Sequence, residues 1–244
     1  SDTHSFPTRR SSNLAARTSC GEIEVVPIGF PPALLRVSEE QAPNEKKSME
    51  LIEHSDLDRL LPVLEPDSYK NRRGHLAVFA GSVGTHGAAL LAARAASRGR
   101  SGLVTLYADT DLYPLLVPAL SSVMLHPLGA EEIPDLRSYS AFAAGPGWGA
   151  APHRDKLLSA LIASGHKGVI DADGLTVLSR LTGKEGRNVM ADENPAIDLE
   201  GRIVLTPHPG EFSRFSGMPV QDILAAPDEA VGRFAAHFHA VVVL

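Results

Sequence analysis

The run TPHPGE, Thr206–Glu211, directly follows the apolar stretch IVL, Ile203–Leu205. A proline confines the residue before it to extended backbone, so Pro207 restricts Thr206 and Pro209 restricts His208. The His208 imidazole is thereby held in a set direction, with little conformational freedom left to lose when a ligand binds. Glu211 follows at a spacing that suits a first-turn acid of a helix. His208 reads as a positioned binding group, with a purely structural histidine as the alternative.

Three more stretches share this layout. In VIDADGL, Val169–Leu175, the pair Asp171 and Asp173 closes an apolar run. Such a pair either holds Mg²⁺, directly or through water, or caps the helix that begins near Gly174. GPGWG, Gly145–Gly149, sets three alternating glycines and a proline around Trp148, the single tryptophan. That leaves Gly147 and Gly149 with backbone open to a ligand; a tight turn around a packed indole is the alternative. GSVGTHGA, Gly81–Ala88, is a glycine turn that leads N–H groups toward an anion at the start of a helix. Its G-x-x-G-x-x-G spacing is neither the dinucleotide G-x-G-x-x-G nor the G-x-x-x-x-G-K-[ST] phosphate loop.

The elements that must position these loops are legible in the hydrophobic pattern. Leu76–Ala80, Leu103–Ala108, Ala141–Ala144, Gly168–Asp171 and Ile203–Thr206 are short and apolar without alternation. That is the mark of strands buried on both faces. Helical patterns such as Gly87–Arg98 and His153–Ser164 lie between them. Alternating strands and helices predict an α/β fold with a mostly parallel central sheet. Ligands of open α/β sheets bind beyond the carboxyl ends of the strands. Parallel strands would therefore bring all four loops to one rim.

Other chemistries lack support. His237 and His239 are two apart, without the spacing of a helical zinc pair, and no G-x-S-x-G elbow exists. With 43% hydrophobic and 21% charged residues the 244-residue chain has the composition of a globular α/β protein. A net charge of −6 argues against nucleic acid or an anionic membrane as partner. The lone cysteine, Cys20, excludes an internal disulfide framework and fits a reducing compartment. No apolar run reaches membrane-spanning length, so the expected location is cytoplasmic.

The N-terminal region reads differently. THSFPTRRSSNL, Thr3–Leu14, resembles a translated sequencing adapter, so residues 1–14 are expected to be a non-native leader. Residues 15–36 read as the tail of another domain, 37–49 as a polar linker, and 50–244 as the main domain.

Several stretches, in this order, resemble the ADP-dependent NAD(P)H-hydrate dehydratase family, a branch of the ribokinase-like fold. They are YKNRRGHLAVFAGS (Tyr69–Ser82), Gly87–Ala88, SGLVTL (Ser101–Leu106), GPGWG, VIDADGL and VLTPHPGEF (Val204–Phe212). The resemblance implies a three-layer sandwich, hydrated NAD(P)H as substrate, ADP as co-substrate and Mg²⁺. It places Ala88, Gly147, Gly149 and His208 at the hydrated dinucleotide. The residues themselves leave Asp171, Asp173 and Glu211 as candidates for metal or polar support. In this family the nucleotide phosphorylates the hydroxyl of the hydrated ring, and phosphate leaves in place of hydroxide. GEIEVVPIGFP, Gly21–Pro31, also resembles the closing strand of the NAD(P)H-hydrate epimerase domain, so the expected parent is a bifunctional repair enzyme. The complete protein is expected to be a homo-oligomer. The family's glycine–serine–glycine–aspartate motif, with its catalytic aspartate, would fall beyond Leu244. The expectation is thus a C-terminally incomplete, inactive fragment. The rival expectations are a ribokinase-like small-molecule kinase, such as a hydroxyethylthiazole kinase relative, and a non-catalytic nucleotide-binding remnant.

Overall fold

Short runs rich in Val, Leu and Ala form strands, and the Ala- and Leu-rich segments between them form helices. The computed structural model describes residues 56–57, 61, 68–70, 72–183, 189 and 197–244. It divides into two units, Ser1–Glu65 and Pro66–Leu244. In the first, the described residues are Asp56, Leu57 and Leu61, with the Leu61 N–H donating to Leu57 O at 2.8 Å. The expected leader, epimerase-like tail and linker lie outside the described residues.

In the second unit, the elements run β1 (His75–Phe79), α1 (His86–Arg98), β2 (Leu103–Asp109), α2 (Tyr113–Leu116), β3 (Met124–Leu128) and β4 (Ala141–Ala144). They continue α3 (Arg154–Ala163), β5 (Lys167–Ile170), α4 (Asp173–Leu181), β6 (Ile203–Leu205), α5 (Pro209–Ser216), α6 (Val220–Ala225), α7 (Pro227–Phe238) and β7 (Val241–Val242). The sheet order is β3-β2-β1-β4-β5-β6-β7. Every neighbouring pair is parallel. The order reverses between β1 and β4, which is the topological switch point of a doubly wound sheet. No helix among the described residues is long and apolar enough to cross a membrane.

Two cores sandwich the sheet. On one face α1, α2 and the turn just before α2 pack Ala89, Ala93, Leu116 and Leu112 against Val78, Val104 and Leu106. On the other, α3, α4, α5 and α7 cover Phe79, Phe142, Ile170 and Leu205. There Phe234 contacts Phe212, Phe215 and Phe238 at ring-centroid distances of 4.9, 5.0 and 4.7 Å. Each such ring contributes about 1.5–3 kcal/mol by burial, and together they fix α5 and so the chain that enters it.

Two expectations need correction. Burial on both faces fails at β5, where Ile170 is buried but Val169 on the opposite face is 37% exposed. Its apolar run provides side chains for both faces, whereas packing among the described residues covers one. The pattern also missed β3, whose MLHPL sequence carries Pro127. As an edge strand it tolerates a residue without a backbone N–H.

Candidate active site

One register row sets the geometry. Phe79 pairs with Ala144, Ala144 with Ile170, and Ile170 with Leu205, straight across four adjacent strands. The four loops leave the sheet one or two residues beyond that row, at Gly81, Gly145, Asp171 and Thr206. They share one rim, and the first two flank the switch point, where a crevice opens because the following helices go to opposite faces.

The loops are hydrogen-bonded to one another. Gly81 N–H donates to Pro146 O at 3.0 Å, and the Thr85 hydroxyl donates to Gly147 O at 2.6 Å. Thr85 is the N-cap of α1 but makes no side-chain bond to its own helix. Gly147 is tightly seated: a Cβ there would stand 2.8 Å from Ala88 Cβ and 2.9 Å from Thr85 O. By contrast, Gly84 and Gly87 face open space.

Asp173 does not cap α4. Ala172 is the N-cap, and the Asp173 carboxylate instead accepts from Gly149 N at 2.8 Å. Asp171 accepts from the Thr206 hydroxyl at 2.9 Å, tying the β5 turn to the β6 loop. Between the two acids Ala172 adopts φ 48°, ψ −120°, a conformation that costs a residue with a Cβ about 1–2 kcal/mol. Among the described residues no three His, Cys, Asp or Glu side chains gather to hold a metal ion. Each of the two aspartates bonds a neighbouring loop through one carboxylate oxygen.

His208 has φ −76°, ψ 162°, the extended backbone its proline neighbours demand. Its Nδ1 accepts from Gly210 N at 3.0 Å and Glu211 N at 3.4 Å, while Glu211 accepts from His208 N at 3.0 Å. This reciprocal pair is a capping box with an imidazole in the usual place of a hydroxyl. An accepting Nδ1 puts the ring proton on Nε2, which lies 3.4 Å from Glu211 Oε1. The side chain is 60% exposed, so the ring stands at the rim with Nε2 beside the Glu211 carboxylate.

The structure thus gathers Ala88, Gly147, Gly149, Asp171 and Asp173 into one bonded cluster, with His208 and Glu211 on the same edge. Trp148 is buried against Phe79, with ring centroids 6.4 Å apart, so the indole is packed while its glycine neighbours shape the loop. Sequence reading missed Thr85, whose place just before a helix was an available signal. It also missed Arg154, Asp109 and Arg180, for which no local signal exists.

The family profile described as NAD(P)H-hydrate dehydratase (Carb_kinase) matches residues 76–244. The bifunctional NAD(P)H-hydrate repair enzyme of Coxiella burnetii is 28% identical over 240 residues, covering 98% of this chain and 45% of that protein. The crystal structure of the ADP/ATP-dependent NAD(P)H-hydrate dehydratase of Bacillus subtilis, co-crystallised with ATP and Mg²⁺, superposes with a TM-score of 0.64 at 28% identity. That match covers 78% of this chain and 64% of the other. A ribokinase-like superfamily protein of Enterococcus faecalis, 20% identical with a TM-score of 0.63, shares the fold. The chain spans less than two thirds of the length of these relatives. With its rim loops and the greater part of its length matched, the chain belongs to the NAD(P)H-hydrate dehydratase family.

Proposed function

We propose that the rim binds hydrated NAD(P)H for its ADP-dependent dehydration back to NAD(P)H. The observation that carries this reading is the interlocked set of loops at the switch point. They meet at the amino end of a 13-residue helix, where an open α/β sheet binds its ligand. The amino end of α1, beside the open Gly84 and Gly87, suits the pyrophosphate of a dinucleotide through its partial positive charge. The nucleotide co-substrate supplies the phosphoryl group that turns a poor leaving hydroxyl into a good one. Mg²⁺ would arrive with the nucleotide phosphates, and Asp171 and Asp173, each with one carboxylate oxygen bonded to a loop, are the residues that would support it directly or through water.

In this reading Gly147 and Gly149, held by Thr85 and Asp173, keep the loop close against α1 and shape the wall beside the dinucleotide. His208 contributes a fixed Nε2–H toward the hydrated ring or its ribose. Because Nδ1 is committed to the helix cap, His208 positions the substrate and is not the principal base.

The test compares His208→Ala with His208→Asn, because Asn also caps helices. In a full-length form, both variants should raise the KM for hydrated NADH at least about tenfold, equivalent to about 1.4 kcal/mol of lost binding. Only the Ala variant should lose about 1 kcal/mol of stability. Turnover is followed by recovery of reduced-nicotinamide absorbance with ADP and Mg²⁺, and binding separately by calorimetry. Failure of the wild-type chain to bind hydrated NADH, or accumulation of a phosphorylated alcohol instead of NADH, would overturn the reading.

A further inference from the structure

We propose that Arg154, which lies outside every rim motif, is the positioning residue of the Gly145–Gly149 loop. Its buried guanidinium holds that loop in the shape that receives the hydrated dinucleotide. The ligand part of this claim rests on the reading above; the loop part stands on geometry alone.

Arg154 opens α3 and is 2% exposed. Its Nη2 lies 2.5 Å from Oδ1 of Asp109, the last residue of β2. Because β1 separates β2 from β4, the pair ties the segment after β4 to a strand that is not its neighbour. The guanidinium carbon also lies 4.9 Å from the Trp148 ring centroid. A cation pinned over the indole favours one orientation of Trp148. Trp148 sits between Gly147, whose carbonyl meets Thr85, and Gly149, whose N–H meets Asp173. Orienting the indole therefore orients both peptide groups. The far end of the loop is held by Arg180, which donates to Ala150 O at 3.0 Å and pairs with Asp155.

This arrangement is not the one stability alone would choose. Arg154 Nε and Trp148 Nε1 are both buried without a hydrogen-bond partner among the described residues. Unpaired buried donors are unfavourable, and buried ion pairs are often replaced by apolar residues without loss of stability. The guanidinium buys rigidity of the loop, not a deeper energy minimum.

The test is the double replacement Arg154→Met with Asp109→Leu in the full chain, beside the single Arg154→Lys. In the double variant the melting temperature should stay at or above the wild-type value. Amide exchange of residues 148–151 should nevertheless accelerate about tenfold or more, while β4 and β5 keep their protection. The affinity for hydrated NADH should fall about tenfold. Arg154→Lys keeps the charge opposite Asp109 and should restore part of the loop protection, though not the fork geometry. Unchanged loop exchange in both variants, or acceleration spread evenly over the sheet, would overturn the proposal. Faster loop exchange in a protein whose wild type binds no hydrated NADH would support the loop claim and sink the ligand reading.

Discussion

Substituting Gly147 by alanine probes the contact on which the crevice depends. A Cβ at this position would stand 2.8 Å from Ala88 Cβ, 2.9 Å from Thr85 Cβ and 2.9 Å from Thr85 O. Gly147 also has φ 58°, a left-handed conformation that costs a residue with a Cβ about 1 kcal/mol. If the loop stays in place, overpacking adds about 1–3 kcal/mol. If it shifts, the Thr85–Gly147 hydrogen bond is lost, at about 1 kcal/mol. The charge-assisted bond from Gly149 N to Asp173 then weakens by up to about 1.5–3 kcal/mol. The first route gives a total loss of about 2–4 kcal/mol and the second about 2–5 kcal/mol. Urea denaturation of Gly147→Ala measures it, and calorimetry with hydrated NADH should show binding weakened about tenfold or more. Adding Ala88→Gly removes one of the three close contacts and should recover about 1 kcal/mol as a coupling energy. A variant as stable as wild type, or no coupling to Ala88, would refute the close-contact reasoning.

Relief of backbone strain at Ala172 has the opposite sign. Ala172→Gly removes the penalty at φ 48° and adds unfolded-state entropy, for a net stabilisation of about 0.5–1 kcal/mol by denaturant titration. A destabilised variant would mean that the turn is not strained. His75, bonded to Thr105 Oγ1 at 2.8 Å, has its pKa lowered from 6.5 by burial. Below that pH the unfolded chain binds a proton that the native site resists, so stability rises with pH through this window. The loss begins as pH falls below 6.5 and stops growing below the lowered native value. The pH dependence of unfolding free energy from about pH 8 to about pH 5 should be shallower in His75→Gln than in wild type. Equal slopes would remove His75 from the account.

The sequence alone determined what depends on local chain stereochemistry. Apolar runs with helical segments between them were enough to read the parallel sheet. Proline rings were enough to extend His208, and loops dense in glycine directly after strands marked the rim where those loops meet. Strand order, and with it the pairing of loops across the switch point, came only from the tertiary structure. Gly147 meets Thr85 and Ala88, Gly149 meets Asp173, and Arg154 meets Asp109 across gaps of 24 to 62 residues in the chain. Nothing in HRDKLL marks Arg154 as buried, because its burial depends on which strand arrives opposite α3. The role of Asp173 turned the same way: a first-turn aspartate reads as a helix cap or metal ligand until a distant glycine N–H is placed against it. Local rules decide which conformations a segment can hold, whereas register across the sheet decides which segments meet.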